Sequence, residues 1–138
     1  MGNSLKINSI NFEDMQYTIK EKNIIINTLC KDNQNCLIKN TLSINSEVEV
    51  INKLIAESHL DETIIIYGEN SSDNKIYEKY KQLIGLGFTN IYIYIGGLFE
   101  WLLLQDIYGD DLFPTTENIN DHLQYKGTKI LNIKFIEN

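Results

Sequence analysis

The sequence predicts an α/β fold, a mostly parallel sheet with helices on both faces, and three observations carry that reading. Three short β-branched runs lack polar alternation, the stretches after them repeat apolar residues at helical spacing, and glycines or polar loops close the elements. Uninterrupted apolar strands are the kind covered on both faces, and strand–helix–strand repeats close by right-handed crossovers that place helices there. With 138 residues, 43% of them apolar, and no Gly/Ser- or Pro-rich linker, the chain is expected to be one domain over residues 1–138.

Along the chain, Asn11 before Phe12-Glu13-Asp14 reads as the cap of a short helix to about Lys20, its two acids placed well for the helix dipole. Asn23 to Leu29 is the first buried strand, Lys31 to Asn35 a polar loop, and Asn40 to Ile44 a second, shorter extended piece. Ser46 with Glu49 forms a capping-box pattern for a helix through Ser58, with Val48, Ile51, Leu54 and Ile55 on its apolar stripe. Glu62 to Tyr67 repeats the strand signature and ends at Gly68. After a polar loop, Ile76, Tyr80, Leu83 and Ile84 mark a helix stopped by Gly85 and Gly87. Asn90 to Ile95 is the third strong strand, Gly96-Gly97 halts it, and Leu98 to Tyr108 reads as a helix closed by Gly109. The order expected is β-α-β-β-α-β-α-β-α. Beyond it, Thr115-Thr116-Glu117 caps a short helix through Leu123, and Lys129 to Ile136 alternates as an edge strand or packed tail.

Composition narrows the function. The net charge is −7, and all 12 basic residues are lysines. Nucleic-acid binding requires a clustered basic face, and bidentate phosphate recognition requires arginine, so neither is expected. No run approaches the ~18 apolar residues of a membrane span. Two cysteines without an apolar leader suggest a reducing, cytoplasmic setting.

Ligands of open α/β sheets gather beyond the carboxyl ends of the strands, here after Leu29, Tyr67 and Ile95. The loop Gly68-Glu69-Asn70-Ser71-Ser72-Asp73-Asn74-Lys75 is the strongest candidate, because a strand running through a small polar loop into a helix offers backbone amides to an anion. It has neither Walker nor G-x-G-x-x-G spacing.

Three stretches resemble the rhodanese-like domain family: Thr63 to Tyr67 before the loop, Leu83-Ile84-Gly85-Leu86-Gly87-Phe88-Thr89-Asn90-Ile91-Tyr92 after the next helix, and Ile95-Gly96-Gly97-Leu98-Phe99-Glu100-Trp101. They follow its pattern of strand, loop, helix, L-x-x-x-G-F-x-N-V-Y and G-G-x-x-x-W over about Ile10 to Tyr108, leaving a C-terminal extension of 109–138. The resemblance implies a three-layer fold with a five-stranded sheet. It also implies a thiolate directly after the loop-preceding strand, which takes sulfur from a donor and hands it on from a persulfide. Gly68 stands at that place. Asn27 and Leu29 replace the family's Asp and Arg, so its polar brace is expected to be missing. The loop looks about two residues longer than the sulfurtransferase form, toward the family's phosphatase type, which also needs the cysteine.

The remaining candidates for that role are hydroxyls and thiols elsewhere. Ser71 and Ser72 have no base placed by spacing, and Ser72 and Asp73 have a sufficient reason as helix caps. Glu69 and Asp73 repel an anionic substrate. Cys30, beside Lys31, and Cys36 are the only thiols and lie by family position near a second sheet-end loop, so either is an alternative nucleophile against the commoner reading as a structural or incidental thiol. A zinc site from both cysteines with His59 and His122 lacks ligand-pair spacing. No metal and no cofactor is expected. The helix Leu98–Tyr108 is apolar around most of its circumference, read first as covered by sheet and tail and second as a partner or self-association face. The leading expectation is a non-catalytic module binding a protein partner or small anion at the Gly68–Lys75 loop; the alternatives are a sulfurtransferase or thiol-redox enzyme using Cys30 or Cys36, and a structural assembly subunit.

Overall fold

The computed structural model describes residues 7–119, 121 and 123–131. Four strands, β1 Ser9–Ile10, β2 Ile24–Asn27, β3 Ile64–Tyr67 and β4 Ile91–Tyr94, form one sheet in the order β1-β4-β3-β2, every pair parallel. The helices are α1 Phe12–Lys20, α2 Ile44–Ala56, α3 Lys75–Gly85 and α4 Gly97–Tyr108, with a 3-10 turn over Lys31–Asn33.

Alternation along β3 divides the core. Ile64 and Ile66 pack with Ile51 of α2 and Ile76, Tyr80 and Leu83 of α3. Ile65 and Tyr67 pack on the opposite face with Met15 of α1 and Leu98, Trp101 and Leu102 of α4. All four β3 residues are buried, which is why the run carries no polar alternation. Burying each such aliphatic side chain contributes about 1.5–3 kcal/mol. The three layers and the parallel sheet agree with the sequence reading.

Several details differ. The sheet has four strands rather than five. In the expected extended piece, Asn40 turns the chain at φ +71°, Thr41 makes a single bridge to Ile25, and Ser43 already caps α2 by accepting from Ser46 N at 3.2 Å. Too few residues remain between turn and cap to form a ladder, and Ser46 lies inside the first turn instead of capping it. The leading strand of the expected order is β1, two residues held against Ile93 and Tyr94. Asn11 does cap α1, reciprocally with Asp14. Gly85 is the last residue of α3, and the left-handed turn falls on Gly87 at φ +107°.

The helix expected from Thr115 is absent among the described residues of 115–123. Thr115 bridges Ile38, and Thr116 N donates to Leu37 O at 2.8 Å, so this stretch pairs with residues 37–38 instead of bonding within a helix. In the expected strand Lys129–Ile136, residues 129–131 are not in a strand, and the rest lie outside the described residues. The segment 112–117 packs on α4: Trp101 Nε1 donates to Pro114 O at 3.0 Å, Gln105 Nε2 to Phe113 O at 2.8 Å, and the Trp101 and Phe113 rings meet edge to face at 5.0 Å. Leu98, Trp101 and Leu102 are thereby fully covered, and the exposed apolar residues at the end of α4 are Ile107 and Tyr108.

Candidate functional site

Strand β3 delivers buried Gly68 to the carboxyl end of the sheet, and the chain then passes over the start of α4. Leu98 N and Phe99 N, in the first turn of α4, donate to Gly68 O at 2.9 Å and Glu69 O at 2.8 Å. Gly97 makes this approach feasible. It sits at φ +69°, and a side-chain carbon on it would lie 2.7 Å from Gly68 O and 2.9 Å from Asn70 N.

Within the loop the amides of Glu69, Ser72, Asp73 and Lys75 are committed. Ser72 N donates to Asn70 Oδ1 at 2.8 Å, and Asp73 N to Asn70 O at 3.2 Å. Glu69 N donates to Asp73 Oδ2 at 3.2 Å and Lys75 N to Asp73 Oδ1 at 2.9 Å, while Thr28 Oγ1, from the exit of β2, reaches Asp73 Oδ2 at 3.3 Å. A side-chain carbon on Gly68 would overlap that same carboxylate. Asp73 thus satisfies the first amide of α3 with Oδ1, as expected of a cap, and turns Oδ2 back into the loop. The cap residue is Asn74, whose side chain makes no capping bond, and Ser72, expected as a cap, is exposed. Ser71, Asn74 and Lys75 are exposed as well, whereas Glu69, Asn70 and Asp73 are half-buried. Asn70 Nδ2 donates to Tyr125 O at 2.8 Å, tying the loop to the C-terminal segment.

The loop after β2 lies alongside. Exposed Cys30 has Lys75 Nζ 3.5 Å from its sulfur, a contact between residues 45 apart in the chain. That bond, ahead of the charges of Asp73 and Glu69, holds the Lys75 ammonium above its ordinary value. Cys36 is a different kind of thiol. It is buried, donates to Glu117 O at 3.2 Å, and burial pushes its ionisation up. The polar brace expected to be missing is present in another form: buried Asn27 accepts from Leu29 N at 3.0 Å and from Gln34 Nε2 at 2.8 Å, and its Nδ2 donates to Gln34 Oε1 at 3.1 Å. An amide pair needs no counter-charge, so it replaces a charged brace at lower desolvation cost.

Sequence reasoning missed Thr28, Gln34 and Tyr67. Buried Tyr67 accepts from Ile38 N at 3.1 Å, shares a 2.8 Å bond with Thr41 Oγ1, and is held protonated far above its ordinary range, chiefly by burial. Its partners lie 26 and 29 residues away, so no local pattern signals them. A polar residue closing an apolar strand, as Asn27 does, was the one available signal for its network.

An open cleft of about 510 Å³ lies between α2 and α3, beside the loop; Asn27, Thr28, Lys75 and the Glu47–Lys79 ion pair line it. A second cavity, of about 380 Å³, lies away from the loop, between α1 and the starts of the strands. His59 is exposed beside Glu57 at 3.8 Å, and His122 lies outside the described residues. No group of three or more metal-binding side chains occurs among the described residues, and no helix there is long and apolar enough to cross a membrane.

Comparison with known proteins accords with this geometry. Solved structures share the fold at low identity. The Alr3790 protein from Anabaena sp. is 18% identical, with 80% of this chain and 83% of that one covered and a TM-score of 0.55. The single-domain sulfurtransferase RDL2 from Saccharomyces cerevisiae is 16% identical, with 82% and 100% covered and a TM-score of 0.53. Ygr203w, described as a yeast protein tyrosine phosphatase of the rhodanese family, is 14% identical, with 84% and 96% covered and a TM-score of 0.51. No curated protein sequence matches. The rhodanese-like domain family model matches residues 8–104, from the residue before β1 into α4 and across the whole loop, and the chain belongs to that family.

Proposed function

We propose that this chain is a non-catalytic rhodanese-like module that acts by binding a protein partner at the loop face. The observation that carries this reading is the joint state of Gly68 and Asp73. Where the family resemblance puts a thiol there is no side chain, and the space one would need is held by a carboxylate. An incoming sulfur donor or phosphate ester is an anion, which would meet Asp73 and half-buried Glu69 with the amides of Glu69 and Lys75 already engaged. The same geometry disfavours a free small anion as the ligand. The exposed rim, Ser71, Ser72, Asn74 and Lys75, remains for contact with a protein surface.

The test is thiosulfate-to-cyanide turnover together with mass-spectrometric detection of persulfide on the purified protein. Neither is expected, and robust turnover would remove this reading.

A second reading, favoured by the Cys30–Lys75 contact, is sulfur transfer from a relocated thiol. Exposed Cys30 would attack the outer sulfur of thiosulfate as its thiolate, breaking the S–S bond, releasing sulfite and leaving a persulfide, with Lys75 as counter-charge. Turnover abolished by Cys30→Ser and retained by Cys36→Ser would establish it. Buried Cys36 is unsuited to the role.

A further inference from the structure

We infer that Asp73 is a built-in carboxylate plug: it occupies the position a free oxyanion would take in the Gly68–Lys75 loop and closes the loop to such ligands. Its two oxygens collect donors from its own loop and from the exit of β2: Glu69 N and Thr28 Oγ1 on Oδ2, and Lys75 N on Oδ1. Convergent donors of this kind are how loops hold external anions. Here the anion is part of the chain, so its local concentration is fixed and a free competitor gains nothing by binding. Gly68 completes the arrangement, because any larger residue would contest the volume that the carboxylate fills. The device is independent of whether a thiol elsewhere reacts, so the sulfur-transfer assays neither support nor refute it.

Shortening Asp73 leaves converging donors without an acceptor and a gap the size of a carboxylate. Formate matches that gap in charge, size and its pair of oxygens. In thermal unfolding, formate is expected to raise the midpoint of Asp73→Ala by about 4 °C over chloride at equal ionic strength, and that of the unaltered protein by under about 1 °C. Equal shifts in both proteins, or none in the variant, would overturn the plug. Asp73→Ser, which keeps one acceptor for Lys75 N, serves if the alanine variant does not fold, and the same formate response is required of it. Gly68→Ala is the independent measurement. Its loss of midpoint is expected to shrink by at least half when Asp73 is shortened, and an unchanged loss would show that the two residues do not share the space.

Discussion

Two loops leave the same end of the sheet and have divided the family's features between them. The β3 exit, Gly68–Lys75, keeps the family scaffold: the close approach to α4 through Gly97, amides turned into the loop, and a helix start behind it. It carries no thiol, and the Asp73 carboxylate lies within it. The β2 exit holds a thiol at Cys30 with an ammonium 3.5 Å away, but an amide pair rather than an anion cradle braces its backbone. Loop scaffold and exposed thiol therefore sit on different loops. Substrate chemistry requires both at one point, since transition-state stabilisation depends on donors placed at the atom where charge develops.

The largest expected effect breaks the first loop. Gly97→Ala places a methyl against Gly68 O at a positive φ, and a loss of about 2–4 kcal/mol is expected in denaturant unfolding; a loss under about 0.5 kcal/mol would show that the close approach is dispensable. Breaking the second loop comes next. Asn27→Ala strands the amide of Leu29 and Oε1 of Gln34, whose Nε2 keeps Leu29 O and Cys30 O, at a cost of about 1–3 kcal/mol, and restoration by Asn27→Asp would imply that a charged brace still fits.

Alkaline pH probes the buried groups on the α1/α4 face. Cys36, Tyr67 and Tyr94 all ionise above their ordinary values of 9.0, 10.0 and 10.0, mainly through burial, with a Glu100 hydrogen bond adding to Tyr94. The folded chain thus keeps protons that the unfolded chain releases. Stability is expected to be at its full value below pH 9 and to fall through pH 9–11, with a slope of up to about 1.4 kcal/mol per pH unit for each group that titrates. In Tyr94→Phe the fall should be shallower, and an unchanged slope would remove Tyr94 from the account.

The smallest stability effect sharpens the contrast between the thiols. Cys30→Ser is expected to change stability by under about 0.5 kcal/mol while abolishing fast labelling by an aromatic disulfide reagent. Cys36 should label only on unfolding. Rapid labelling of Cys36 in the folded protein would contradict its burial.

Much of the fold was legible because it rests on local chemistry. The β-branched runs, the apolar spacing of α3, the Asn11 cap and the glycines at 87, 97 and 109 each declare an element within a few residues. The brace showed how such reading fails: losing the family's Asp and Arg looked like losing the support, because Gln34 carries no local sign of pairing with Asn27. The same holds for the piece around Thr41, where a single bridge formed instead of a fifth strand.

By itself, the sequence determined the order of buried strands and amphipathic helices, and with them the glycine following β3, since periodicity and backbone preference act over a few neighbours. Tertiary packing alone brought Thr28 to Asp73, Lys75 to Cys30 and Asn70 to Tyr125. These contacts join groups brought together by the packing of β2, β3 and the C-terminal segment. Their energies depend on which distant donors the fold presents, and no window along the chain contains that information.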